Sequence, residues 1–531
     1  MKIKGGDIIK NNFDILLIGY EEGENLGLRS IAAFLIKHGI KVKILPCDKT
    51  PKEDILATIH REKPKIVGFS LIFQRMLYEF ADLIAYLRQN SVTAHFTMGG
   101  HFPSIDFRST LKSIPGLDSV VRGEGEEILL ELFHYLDQPD SLAQIKGLAY
   151  WSDAEIRVTP PRPLIQNLDN LPYPVRNDRV VTHRGLGICS ILASRGCYYN
   201  CSFCSIHQFY SGSPGPKRRS RSPSNVVREM EQLFYERGIR LFIFEDDDLA
   251  MKARICQQWI EDFVQELKMK KIADQILWRI SCRVDDVVVE LIKKMKEVGL
   301  MCVYTGIESG NNQGLRTYNK HYTVDDIYKT LAILQDLKMP FEFGFMILNP
   351  DSTFATVKED IAFLKEIGRS GQAIVNFTKM VPYAGTPIAH RLKKEGELKG
   401  TFASPDYTYK DPRLELLQMF FTQAFHFRNF DNNGLVERLR HAKFDAIVLS
   451  KFFSHKYNTQ SYKKAIQDLI RQSNEVCLEK MSLAVNFMER RGEKEILDNL
   501  QLLEYLVQEE KDMELRITSS LDWLMTYNFQ D

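Results

Sequence analysis

A chain of 531 residues, 44% of them hydrophobic, has room for two to four domains and enough apolar side chains for a sizeable core. Its 70 Lys and Arg offset 69 Asp and Glu, which removes the electrostatic case for a nucleic-acid partner. No apolar run approaches the roughly 20 residues of a membrane span, the start Met1-Lys-Ile-Lys-Gly-Gly is polar and unlike a secretory signal, and nine scattered cysteines do not form a disulfide framework. These features predict a cytoplasmic protein.

The first third alternates strands and helices. Strands are predicted at 13–20, 42–45, 65–70, 94–99 and 119–122, and helices at 25–38, 54–61, 78–89 and 124–136. That order predicts a doubly wound, Rossmann-like (flavodoxin-like) parallel sheet over 1–140, whose ligands lie beyond the carboxyl ends of the strands. Those ends carry a glycine-bearing loop at 19–27, Ser70, Gly99-Gly100-His101 and Arg122-Gly-Glu-Gly-Glu126. Glycine lets backbone approach a ligand closely, and Glu124 and Glu126 are placed to cap the next helix. Singly, each of these reads as an ordinary turn. A hairpin over 142–163, turning at Ser152-Asp153, and the stiff connector Leu168-Asp-Asn-Leu-Pro-Tyr-Pro174 make 141–186 a linker.

Alternation resumes over 187–399. Strands are predicted at 187–193, 241–244, 277–281, 301–306, 341–348 and 373–380, with helices at 226–237, 257–269, 287–298, 324–337 and 356–367. Six strand-helix units point to a partial (β/α)6 barrel, with its chemistry at the carboxyl ends. Those ends hold Glu245-Asp246-Asp247-Asp248, Glu308-Ser309, and Tyr383-Ala-Gly-Thr-Pro387. The acidic run reads as a magnesium site, an acid-dressed helix start, or part of the active site. Lys217-Arg218-Arg219 with Arg221 reads as solvated surface, with the entry of an anionic substrate as the alternative. From 400 to 531 the pattern is helical, at 414–427, 463–490 and 493–527, and carries no legible motif.

The first barrel strand runs into Arg195-Gly-Cys-Tyr-Tyr-Asn-Cys-Ser-Phe-Cys-Ser205, which sets Cys197, Cys201 and Cys204 at CxxxCxxC spacing. Three thiolates can hold three irons of a 4Fe-4S cluster and leave the fourth iron open. Zinc, completed by His207, is the other reading, but zinc sites usually pair cysteines as CxxC. The segment resembles the signature of the radical S-adenosylmethionine (radical SAM) family, and Phe203 fits the aromatic residue favoured before the last cysteine. The resemblance implies SAM on the open iron, cleaved reductively to a 5′-deoxyadenosyl radical. It further implies SAM contacts from Phe203, Asp247, Asp248, Glu308, Ser309 and Tyr383, the last as an adenine wall.

Over about 13–136 the glycine turns resemble the cobalamin-binding domain that precedes many radical SAM barrels. Gly27, Ser70, Gly99, Gly100, His101, Gly123 and Glu124 are then the expected pocket residues, with His101 assigned proximity only. One departure stands out. Mutase-type cobalamin domains carry DxHxxG, whose histidine ligates cobalt from below; the corresponding loop here is Glu22-Gly-Glu-Asn-Leu-Gly27, with Glu24 in the histidine's place. The domain therefore either binds cobalamin without that ligand or keeps the fold without the cofactor. The resemblance implies a cobalamin-dependent methyltransferase acting on an unactivated carbon or phosphinate centre of a small-molecule or peptide substrate. An external donor such as flavodoxin or ferredoxin would supply electrons. The alternatives are a rearrangement or cyclisation without methyl transfer, a methylthiotransferase, for which the first domain has only Cys47 as a further cluster ligand, and a zinc-stabilised binding protein.

Overall fold

The computed structural model describes residues 13–21, 23–249 and 251–527; the polar start and Glu22 lie outside them. The first sheet comprises β1 (Ile15–Gly19), β2 (Val42–Pro46), β3 (Ile66–Ser70), β4 (His95–Gly99), β5 (Ser119–Val121), β6 (Leu148–Ser152) and β7 (Glu155–Val158), in the order β2-β1-β3-β4-β5-β6-β7. The first five strands are parallel. They read as continuous apolar runs because both faces are covered. Leu16, Ile18, Val67 and Phe69 pack under helices Lys52–Glu62 and Leu77–Gln89, while Ile15, Leu17 and Ile66 pack under Leu26–Lys37 and Gly125–Tyr135. Chain order reverses at β1 and β3, the crevice where such sheets bind ligands.

The predicted hairpin forms with its turn at the expected place, but β6 pairs antiparallel with β5 and so extends the first sheet. Two short helices, His101–Ile105 and Phe107–Ser113, stand where no element was expected; Asp106 caps the second by accepting from Ser109 N at 3.2 Å.

The second sheet is an open half-barrel. It is built from β8 (Val181–His183), β9 (Leu186–Ile191), β12 (Ile239–Phe244), β13 (Leu277–Cys282), β14 (Leu300–Glu308), β15 (Phe341–Leu348) and β16 (Thr378–Lys379), in the order β16-β15-β14-β13-β12-β9-β8. Two short strands, β10 (Ser194–Arg195) and β11 (Arg219–Ser220), pair antiparallel and bracket the cysteine loop. Convex-face residues such as Phe242, Trp278 and Ile280 are buried under the helices. The opposite face is partly open at Ser190, Arg279, Ser281, Tyr304 and Glu342.

The sixth strand is shorter than expected. Its backbone is satisfied by side chains of the C-terminal helices instead of a ladder: Val375 N donates to Asn474 Oδ1 at 3.0 Å, and Val375 O and Phe377 O accept from Arg428 and Asn429. Helix 493–527 divides into Glu493–Asp498 and Gln501–Tyr527. A further helix, Leu435–Phe452, was not anticipated, because apolar residues on two faces blur its period. Leu435, Leu439 and Ala446 join the C-terminal bundle, while Phe444, Ile447 and Val448 pack on Leu241, Leu277 and Met301 at the floor of the half-barrel.

Candidate active site

The cysteine loop leaves the carboxyl end of β9, where a strand must give way to irregular backbone and where barrel folds keep their chemistry. Cys197, Cys201 and Cys204 are unpaired and partly exposed. Burial pushes the Cys197 thiol up to about 12, with Asp248 adding to it, and the Cys204 thiol up to about 11. Two buried cations face the loop. The Arg283 guanidinium reaches Cys201 Sγ at 3.3 Å, and Lys320 lies 5.3 Å from the Phe203 ring. Cations of this kind favour thiolates, the form that binds iron. His207 is not part of a ligand set; its ring sits 3.4 Å from the Ser211 hydroxyl. Among the described residues no three His, Cys, Asp or Glu side chains converge as ligands of a single ion. A cuboidal cluster makes a different demand, one thiolate for each of three irons, and the loop's three separated thiols meet it.

The acidic run after β12 is a clamp. Asp246 accepts from Ala193 N at 3.0 Å and from the Ser194 hydroxyl, Asp247 from Gly196 N at 3.0 Å, and Asp248 from Arg283 N at 3.3 Å. Asp246 and Asp247 hold the base of the cysteine loop, and among the described residues the acidic run does not gather into a set of cation ligands. Asp247 opens onto a cavity yet is walled by protein, and that burial raises its carboxyl to about 6.

Of the other residues expected near SAM, Glu308 and Phe203 share Lys320. Glu308 bonds Lys320 Nζ at 3.0 Å, and Phe203 packs edge-on to Tyr318. A bulge between Gly306 and Glu308 turns this strand end. It puts Glu308 at φ 68°, a left-handed backbone that non-glycine residues adopt mainly where surroundings enforce it. A Cβ on Gly306 would come within 2.4 Å of Glu308 Oε1, so a side chain there would displace the Glu308 carboxylate. Ser309 is fully buried, and its hydroxyl donates to Asp360 Oδ1 at 3.0 Å, so its side chain is engaged inside the protein. Tyr383 lies in a turn that meets the first domain, where Ala384 N donates to Gln74 Oε1 at 2.9 Å.

All seven expected pocket residues of the first domain, Gly27, Ser70, Gly99, Gly100, His101, Gly123 and Glu124, border one cavity of about 720 Å³. Its far wall is Leu192, Ser194, Arg195, Glu245 and Asp247, the base of the cysteine loop. The strand-end faces of the two sheets thus meet across a shared void. Gly100 has φ 114° and a Cβ there would strike Leu71 O, so only glycine permits this turn. His101 packs edge-on to Phe209 at 4.5 Å, and burial lowers its imidazole to about 4.

Glu124 stands at the N-cap of its helix and Glu126 in the first turn, but the Glu124 side chain makes no capping bond. Both cross the interface. Arg195 bonds Glu124 at 2.8 Å and Glu126 at 2.6 Å, and Arg219 bonds Glu124 at 2.8 Å. Burial works to raise Glu124 and is outweighed by the two arginines, which hold it below its ordinary value. Glu24 also crosses, accepting from Ser190 N of β9 at 2.8 Å and from Arg176 at 2.7 Å. The basic run is likewise internal. Arg218 and Arg219 are buried; Arg218 donates to Asp248 O at 3.0 Å and Arg221 to Glu229 at 2.6 Å, so the run is neither solvated surface nor an entry for substrate. Sequence reasoning missed Arg283, Lys320 and Gln74, whose partners Cys201, Glu308 and Ala384 lie in other segments.

Residues 17–133 match the family description "B12 binding domain", and residues 191–364 match "Radical SAM superfamily". An uncharacterised methyltransferase of Pyrococcus horikoshii is 29% identical over 74% of this chain and 83% of its own length. An anaerobic magnesium-protoporphyrin IX monomethyl ester cyclase of Cereibacter sphaeroides is 26% identical over 67% of this chain, which spans 58% of that relative. The solved structure of the cobalamin-dependent S-adenosylmethionine radical enzyme OxsB, with aqua-cobalamin and S-adenosylmethionine bound, aligns over 97% of this chain and 79% of its own at TM-score 0.68 and 17% identity, a likeness of fold.

Proposed function

We propose, from the premise that this chain belongs to the radical SAM superfamily and carries a B12-binding domain ahead of its barrel, that it is a cobalamin-dependent methyltransferase acting on an unactivated carbon or phosphinate centre. The observation that carries this reading is the shared cavity: the glycine turns of the first domain form one wall and the base of the cysteine loop the other. A flat macrocycle needs close backbone approach, which Gly27, Gly99, Gly100 and Gly123 provide. Cys197, Cys201 and Cys204 would hold the cluster, and Glu308 with Lys320 would orient SAM. When bound, the cluster supplies the electron that splits SAM into an adenosyl radical, and cobalamin carries a methyl group that a carbon radical can take. The chain's own part is positional. Asp246 and Asp247 fix the cysteine loop to β12, Arg283 faces Cys201, and Glu24, Gln74, Glu124 and Glu126 hold the two faces in register.

The methyl of SAM is electrophilic and cannot be taken directly by a carbon radical, so this reading needs two uses of SAM per turnover. SAM labelled in its methyl group, given to reconstituted protein with a candidate substrate, then yields S-adenosylhomocysteine and 5′-deoxyadenosine in similar amounts, with label in the product. Turnover with 5′-deoxyadenosine alone replaces methylation by rearrangement or cyclisation, the reaction class of the cyclase relative. Reduction by an external flavodoxin or ferredoxin and residence in the reducing cytoplasm belong to the same reading, supported by nine unpaired thiols. Among the described residues no helix is long and apolar enough to cross a membrane.

A further inference from the structure

The concave face of the half-barrel rises in layers set by strand register. The floor is apolar: Ile188, Leu241 and Leu277 lie side by side, covered by Phe444, Ile447 and Val448 of helix Leu435–Phe452. The next layer holds Ser190, Ile243 and Arg279, and the one above it Ser281, Tyr304 and Glu342. Glu308 stands four residues beyond Tyr304 on β14, about 13 Å up the strand at 3.3 Å per residue.

Arg279 is the lowest charge on the strands of this face. Its side chain keeps 36% of its exposure inside the half-barrel, and its contact with Glu342 is a single approach at 3.5 Å, long for a charge-assisted pair. The helix below adds Arg440, which meets Glu437 at 3.5 Å, and Lys443, which donates to Phe341 O and Gln372 O at 2.7 Å. Arg279, Lys443 and Glu342 thus gather around Cys302, and Arg440 lies near Tyr304. An arginine fork with one weak internal partner above an apolar floor is built to take a planar or tetrahedral anion.

We propose that Arg279 seats an anionic group, a carboxylate, phosphonate or phosphate, at the foot of a small polar substrate whose reacting atom lies near Glu308. The layer of Ser281, Tyr304 and Glu342 offers hydrogen bonds along the substrate's length, which suits a hydroxylated chain or ring and disfavours an apolar polycycle. This rests on the reading above, because it places the substrate beneath the SAM corner.

The probe is ethylphosphonate, added to protein reconstituted with cluster, cobalamin and SAM, and followed by phosphorus relaxation next to the reduced, paramagnetic cluster. Saturable relaxation is expected in the wild type, weakened at least about tenfold in Arg279→Leu and by an intermediate factor in Arg279→Lys, which keeps the charge but loses the fork. Glu342→Gln is expected to tighten binding, since it removes the internal counter-charge; a merely structural role for the pair would not do so. Absence of saturable relaxation in the wild type, or equal relaxation in Arg279→Leu, overturns the assignment. Iron content and SAM cleavage without substrate are read on the same samples. Their loss in the wild type refutes the radical SAM methyltransferase reading, whereas their persistence without anion binding refutes only the role of Arg279.

Discussion

The strand-end loops of the first sheet and those of the half-barrel are equally acidic, but their carboxylates point opposite ways. In the first sheet Glu24, Glu124 and Glu126 reach out of their own domain, to Arg176, Arg195 and Arg219. In the half-barrel Asp246 and Asp247 turn back onto the loop after β9, taking Ala193 N and Gly196 N, and Asp360, inside helix Phe354–Gly368, takes Gly310 N of the loop after β14. The difference follows from what each face must do. The first sheet leaves a void between glycine turns and needs its position fixed from outside. The half-barrel carries a cysteine loop with little secondary structure, whose backbone N–H groups need acceptors from within.

The largest effect is expected at the cysteines that the inward carboxylates support. Cys197→Ala, Cys201→Ala and Cys204→Ala each lose iron and SAM cleavage to background, whereas Cys47→Ala and Cys477→Ala keep both within about twofold, as a three-thiolate cluster requires. Iron analysis and 5′-deoxyadenosine formation decide this, and a stoichiometric zinc content without sulfide refutes it.

Breaking the outward set comes next. Arg195→Met strands the buried Glu126 and leaves Glu124 with Arg219 alone, and is expected to cost about 3–5 kcal/mol in denaturant titration. Adding Glu126→Gln to it should recover part of that loss; a double variant no better than the single one contradicts the pairing.

The inward set is sharpened by pH. Burial raises the Asp360 carboxyl to about 7 from 3.8. A folded value above the unfolded one means stability that is fully present below pH 4 and lost as pH rises through 7. Asp360→Asn removes this titration, so its stability relative to wild type should climb between pH 4 and 8 by on the order of 1 kcal/mol or more. A flat difference across that range means Asp360 is already ionised at low pH. Smallest is Glu24→Gln, which keeps one acceptor for Ser190 N and weakens the ion pair with Arg176; about 1 kcal/mol is expected, read as a shift in denaturation midpoint at unchanged slope. A histidine-like nitrogen splitting in the cob(II)alamin resonance of the wild type would contradict the absence of a lower ligand at this position.

The parallel sheet and five of the six barrel strands were legible because well-buried strands are written as apolar runs, unbroken in Ile15–Gly19 and interrupted only by Glu342 and Gly344 in Phe341–Leu348. The glycine turns were legible as pocket walls because a void between domains is made largely by leaving side chains out. The direction of a charge was not. Glu124 at a helix start looks like a cap, and Lys217 to Arg221 looks like solvated surface, until a chain segment 95 residues away supplies the partner for Glu124. The partner of Ser309 was hidden for the same reason: Asp360 comes from the third helix along, Phe354–Gly368. The sixth strand failed because its acceptors and donors are side chains of the C-terminal bundle, which no local pattern records.

Three of the four first-domain loops that wall the cavity also carry polar fastenings to the barrel: Glu24 after β1, Gln74 after β3, and Glu124 with Glu126 after β5. Seat and fastening are therefore one thermodynamic object. Whatever fills the cavity and contacts both walls must favour the docked arrangement, and by reciprocity the docked arrangement must tighten its binding by the same factor. A substitution in any of these fastenings, though it touches no ligand, will register as a lost fraction of occupancy, and a saturating ligand will register as a higher denaturation midpoint for the pair of domains.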